Sequence, residues 1–404
     1  VAEVSAPTSA TVRLSAQVAA FSTTAVRNLT VAEVGALTST QFASLTAAQI
    51  GALSTTQMSA FSATQINGFT TTQTSGLSVA QVESLTATTV AGLNATHIAA
   101  LSVTAVGGLS AGQVTALTTS QFMALGVIKI AALSSTAIAA LPAADLMALT
   151  TTQLSGAGLT PTWMSALTAD QIASFTTTQV GSFSTDIVSG LTAQQMSLMA
   201  LTQFAAMSST QIGSLASTAL AGMTTTAIEQ LTLTQIAGLK ASQIGAISST
   251  GIGYFSTDEI ASMTATQLAG LVRVQLRALS TAQVAALTAT QISAFGPEQL
   301  ANFTSTELNA FSNTQFAAIT GPQLGALTAS QINNFADTRI MSLTSSQLSG
   351  LTSTQISGFS ATTIAPLSVE QIDALAPTQI AGFTAQQIAA MTPDQQEALV
   401  RAVS

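Results

Sequence analysis

The stretch "LTAAQIGALSTTQMSA", residues 45–60, states one eight-residue phrase twice. Each phrase opens on a large apolar residue, Leu45 or Leu53, followed by a hydroxyl, Thr46 or Ser54. Three residues after the hydroxyl comes Gln49 or Gln57, then Ile50 or Met58, then two small residues. This spacing decides the fold. One continuous helix turns about 800° in eight residues, so its apolar stripe would slip roughly 80° per phrase and bury no fixed face. A strand would put positions 1 and 6 on opposite faces, which only a bent β-solenoid could repair. A short helix starting after position 2 accounts for every restricted position. The hydroxyl becomes the N-cap and the glutamine becomes N3, the S/T-x-x-E/Q capping box. Positions 1 and 6 become N′ and N4, the hydrophobic staple.

Outward from this stretch the phrase holds for nearly the whole chain. It runs without a slip over residues 21–156 as 17 octads, meets an insertion at Ala157 and Gly158, and resumes over residues 159–398 as 30 more. Position 1 is Leu, Phe, Met or Ile in all 47 octads, and position 6 is apolar in 45, Thr74 and Gln396 being the exceptions. Position 2 is Ser or Thr in 37 and position 5 is Gln or Glu in 33. Residues 1–20 fit poorly and read as a divergent N-terminal segment or cap. The more charged ending "MTPDQQEALVRAVS" places Glu397 and Arg401 at i, i+4, so residues 399–404 finish one longer capping helix.

Residues outside the motif test the helical assignment. Pro161, Pro297, Pro377 and Pro393 stand at position 3, which is N1, where the missing N–H was orphaned anyway. Eleven of the sixteen acids stand at positions 3 to 5, the first turn, where the helix dipole favours negative charge. Twenty of the 26 glycines stand at positions 7 and 8, where a helix should stop. A β-solenoid predicts none of these placements. So short a helix is marginal alone, and its octads must stack. The sequence therefore predicts an all-α solenoid of very short helices, one per octad. Positions 1 and 6 face inward, the small residues of positions 7 and 8 let consecutive helices approach, and positions 3 and 4 face out or meet another chain. The number of octads per coil stays open.

Composition narrows the function. The chain has 404 residues, 6% charged, with a net charge of −8, which is too sparse and of the wrong sign for a nucleic-acid footprint. Cysteine is absent, which excludes disulfides and thiolate metal sites. Mean hydropathy is positive, yet Ser, Thr and Gln interrupt every octad, so no apolar run reaches membrane-spanning length and no membrane insertion is expected. The first residue is not Met and no signal peptide is evident, as expected of a processed chain or a segment of a longer one.

The residues that could carry chemistry are few. His97 stands at position 5 in place of glutamine, with no Asp, Glu or His near it in sequence, and reads as a polar N3 residue. Trp163, also at position 5, follows the insertion and reads as packing at that seam. Lys129 and Tyr254 read as solvated or structural. Asp258 and Glu259 are adjacent, so their side chains diverge, and the first-turn dipole accounts for both. "GIGYFS" from Gly251 lacks the lysine and preceding strand of a phosphate loop. Asn28, Asn94 and Asn302 begin N-x-S/T sequons, as a Thr-rich chain would by composition. No catalytic, cofactor-binding or metal-binding residue is assigned, no cofactor is expected, and an enzyme is not expected.

The phrase L-[ST]-x-x-Q-[IV]-x-x, as in "LTATQISA" from Leu287 and "LTSTQISG" from Leu351, resembles the octapeptide arrays of very large bacterial secreted and surface proteins, adhesin-like and often rich in Ala, Thr and Gly. The resemblance implies export and structural duty. The calcium-binding glycine–aspartate nonapeptides that often accompany such arrays are missing here, so calcium dependence is not carried over. The expectation is an extracellular or cell-surface structural protein: a repeat rod forming a fibre subunit or adhesin stalk, with self-association by homopolymerisation or lateral bundling. Residues 1–20 offer no polar cap, which favours end-to-end contact. The alternative is a binding protein that uses its Thr/Ser-rich exterior on polysaccharide or ice.

Overall fold

Helix follows helix at intervals of eight residues in the computed structural model, which describes residues 17–403. No strand occurs among these residues, and the expected all-α solenoid is what forms. The divergent N-terminal segment, residues 1–20, falls mostly outside the described residues. A typical helix has five or six residues, such as Ala111–Thr115 or Ala289–Ala294. Its start is fixed locally. Ser110, extended at φ −74° and ψ 161°, accepts a hydrogen bond from the Gln113 amide, while Gln113 Oε1 accepts the Ser110 backbone N–H at 2.8 Å. The full box recurs octad after octad. Where position 2 lacks a hydroxyl, as at Ala200, Lys240, Val272, Gly296 and Ala376, half of it survives: the glutamine still accepts the cap N–H.

Two compact units, Val1–Met207 and Ser208–Ser404, make up the chain. Within each, a helix packs on those three octads before and after it: Val79–Glu83 on Val103–Gly107, and Thr257–Ser262 on Thr281–Ala286. One coil is therefore three octads, 24 residues. Leu or Phe at position 1 and the aliphatic at position 6 fill the interior, as expected; Leu109 and Val114 are buried, as are Leu287 and Ile292. Phenylalanines meet there edge to face, Phe42 with Phe61 at 4.9 Å and Phe295 with Phe303 at 5.5 Å between centroids. Thr74, polar at position 6, is buried with its hydroxyl donating to the Thr70 carbonyl at 3.2 Å.

The glycines of positions 7 and 8 have a different cause from the one expected. Gly76, Gly92 and Gly190 close their helices in right-handed geometry, with φ between −83° and −86°, so no left-handed cap requires them. Several are required by neighbours one coil away rather than by consecutive helices. A Cβ on Gly190 would collide with the Pro161 backbone, on Gly270 with Ala241, and on Gly350 with Gly321. Left-handed backbone occurs among the described residues only at Gly126 (φ 71°) and Gly158 (φ 152°). Gly126 stands where a hydroxyl cap belongs, and it kinks two octads together into the span Thr119–Ile130. Gly158 belongs to the two-residue insertion and lies against Val127, one coil away. The last helix, Pro393–Val403, is longer, as its i, i+4 charges suggested, and Arg401 pairs with both Glu397 and Asp373.

Candidate functional site: the glutamine ladder and the exposed faces

The polar groups that look most available for chemistry are committed to the scaffold. A capping-box glutamine uses only its amide oxygen on its own helix, which leaves two amide hydrogens. Gln113 Nε2 donates them to the carbonyls of Val82 and Leu85, at 2.8 and 2.7 Å, the corner between two helices of the adjacent coil. Gln283 does the same with Ile252 and Phe255 at 3.0 and 2.7 Å, and Gln387 with Ile356 and Phe359, both at 2.7 Å. The targets of these glutamines lie 31 and 28 residues upstream, and Gln121, Gln331 and Gln395 use carbonyls 30 and 28 upstream. Across the insertion they lie 33 and 30 upstream, as Gln171 reaches Ile138 and Leu141. The amides of Gln113, Gln283 and Gln387 are thus fully satisfied although they are buried. One side chain caps the start of its own helix and supplies donors to carbonyls at a helix end, where intrahelical partners run out.

The residues that replace glutamine at position 5 fall into two groups. Some keep the bridge. His97 is buried, with Nδ1 on Asn94 Oδ1 at 2.7 Å and Nε2 on the Phe69 carbonyl at 2.8 Å, so it is a ladder rung. Thr89 donates to Phe61 at 3.1 Å. Lys129 Nζ donates to Ala99. Arg339 spreads over Leu308, Asn309 and Phe311 and stacks on Phe316; burial lowers its pKa. Others break it. Trp163 is buried with Nε1 unpartnered, beside the insertion. Asp145 is 1% exposed, its Oδ2 unpartnered, and follows Pro142, which has no N–H for a capping box. Desolvation raises the Asp145 pKa, opposed by the Thr119 hydroxyl. Glu33, in an exposed capping box, is lowered by the Thr30 backbone N–H and hydroxyl.

A second inter-coil set uses position 7. Asn67 Nδ2 donates to Gly92 O at 3.0 Å, Asn333 Nδ2 to Gly358 O at 2.6 Å, and Arg277 Nε to Asn302 O at 3.2 Å. Asp258 is exposed and Glu259 is buried in its capping box with Ser256, so the adjacent pair does not converge. Asn94 is a helix cap bonded to His97 and Asn67, whereas Asn28 and Asn302 end helices. Among the described residues no three His, Asp or Glu side chains gather into a metal site, and no helix is long and apolar enough to cross a membrane.

Three-octad coils, recurrent capping boxes and an amide ladder between coils define an all-α repeat protein. In agreement, the model of the ALTTAQ repeat family matches residues 15–47 and 274–305. No curated protein matches the chain.

Proposed function

We propose that the chain is a structural repeat segment of an extracellular protein at the bacterial surface, acting as a stalk or a fibre subunit through self-association and without a small-molecule site. One observation carries the reading: the ladder consumes the polar chemistry of most octads in holding coil to coil, as Gln113 and Gln283 do. The exterior left over is Thr, Ser and Ala with few charges, so little repulsion opposes lateral packing. The resemblance to surface octapeptide arrays supports the location. Sedimentation and electron microscopy of the purified chain at micromolar concentration, beside a version lacking residues 1–20, test assembly; immunolabelling of intact cells tests location. Filaments or bundles, with label outside the cell, are expected. Monodisperse particles across salt and pH would leave a passive spacer, and label inside the cell would overturn the surface role.

A second reading, binding to a neutral polysaccharide or to ice, is favoured by one column. Thr218, Ser242, Thr266, Thr290, Thr314, Thr338 and Thr362 are all exposed and follow one another at one residue per coil. Retention on an insoluble glucan or thermal hysteresis of the solution would support it, and replacing alternate threonines with valine would reduce either signal.

A further inference from the structure

We propose that the octad at residues 271–278, with Tyr254 one coil away, is a binding surface for an acidic polysaccharide. The octad reads "LVRVQLRA". Its inward positions obey the repeat: Leu271 and Leu276 are buried, and Gln275 bridges to Ile244 and Ile247 at 2.8 and 2.6 Å. Its outward positions do not. Val272 replaces the hydroxyl cap, and the helix Arg273–Leu276 starts with no side-chain cap bond. Val272 and Val274 are 46% and 64% exposed, and Tyr254, the only tyrosine of the chain, is 46% exposed. Arg273 and Arg277 are exposed and account for two of the eight cations in the chain. The local rule is thus broken only where the change meets solvent, which is how sequences depart from their scaffold at functional sites.

The chemistry of the patch selects the partner. Arg277 Nε donates to the Asn302 carbonyl at 3.2 Å, which anchors the guanidinium of an exposed residue. Neither Arg273 nor Arg277 has a carboxylate within ion-pair distance among the described residues. Two unpaired planar forks on a chain of net charge −8 suit carboxylates, which they bind bidentately. Tyr254 and the two valines offer the apolar surface on which the C–H face of a sugar ring rests. The helix after which Tyr254 falls, Ser249–Gly253, packs on Arg273–Leu276. The patch therefore spans two coils, about 8–10 Å apart at ordinary helix packing distance, which calls for an extended ligand. Two cations are too few for a nucleic-acid backbone, whose binding scales with the number of phosphates neutralised. A second copy of this chain fits poorly. In each octad with two acids one is engaged: Glu259 is buried, and Asp373 and Glu397 pair with Arg401.

The partner rests on the surface location proposed above, but the measurement on purified chain does not, so failure of binding and failure of location are separable. The test is affinity electrophoresis of the whole chain in gels containing polygalacturonate, its fully methyl-esterified form, or dextran. Retardation by polygalacturonate alone is expected, weakening with salt. Arg273→Ala with Arg277→Ala should lose at least tenfold in affinity, the double lysine variant should fall between, and Tyr254→Ala should lose severalfold, all with unchanged circular dichroism. No retardation of the wild-type chain, equal retardation by the esterified polymer, or full binding by the double alanine variant would each overturn the proposal. A dimer abolished by the double alanine variant, with no polymer binding, would assign the patch to a second copy and overturn it too.

Discussion

At the scale of the residue, glutamine is the choice that needs explaining. A capping box accepts glutamate as readily as glutamine, yet position 5 holds 30 glutamines and three glutamates. Only the amide brings donors, and the ladder is what uses them. That imbalance was legible in the sequence; its meaning was not, because the carbonyl partners lie 28 and 31 residues away. Gln113→Glu should therefore keep its capping box and still cost about 1–3 kcal/mol, by leaving buried carbonyls facing a carboxylate. Denaturant titration followed by hydrogen exchange checks this, and a loss no larger than that of Thr115→Ala would contradict the ladder. Asp145 is the complementary case. Its folded pKa is raised by burial, so its contribution is fully present below the ordinary carboxylate value of about 4 and is lost as pH climbs through the raised value. Glu33 and Glu370, held low by hydrogen bonds, act in the opposite sense as pH falls. Asp145→Asn should flatten the neutral-side loss alone, read by the fluorescence of Trp163, the single tryptophan, buried in the same unit. An unchanged slope would show that Asp145 stays charged without cost.

At the scale of the element, the short helix of each octad was legible because its start signals are local: a hydroxyl, an amide three residues on, a staple. The exposed patch was half legible. "LVRVQLRA" departs visibly from the phrase, but the isolation of its arginines from the carboxylates of the described residues is a matter of packing. Helices do stop at the position-8 glycines, as at Gly92 and Gly190, but a helix end and a tight crossing select the same residue, so the crossing one coil away was hidden; Gly270 against Ala241 is an example. Removing both halves of one element should reveal the coil. Thr288→Ala with Gln291→Ala should speed hydrogen exchange over residues 287–294 and also over residues 260–263, since Gln291 bonds Ile260 and Met263 at 3.0 and 2.7 Å. The cap accounts for about 1 kcal/mol and the bridge for a similar amount. Exchange confined to the mutated octad would mean that the bridge carries no load.

At the scale of the whole molecule, the number of octads per coil was invisible in sequence, since every octad presents the same core residues and the closure angle is set at corners. The same uniformity makes the register tolerant. Deleting one octad, residues 279–286, should leave each remaining glutamine a corner to bind, with unchanged helicity and a melting temperature within a few degrees. Deleting four residues there should unfold the unit from that point, because the inward and outward positions exchange. Equal damage from both deletions would mean that octads are not interchangeable.

The ladder also governs what happens when the chain is pulled. Successive rungs of one column, Gln267, Gln291 and Gln315, are 24 residues apart, and each holds only the coil beside it. Tension applied at one end meets these rungs in turn. The molecule should pay out chain in steps of about 80 Å, the extended length of 24 residues at roughly 3.3–3.6 Å each, and rewind coil by coil when the load is removed. A tether built this way yields by lengthening before it breaks.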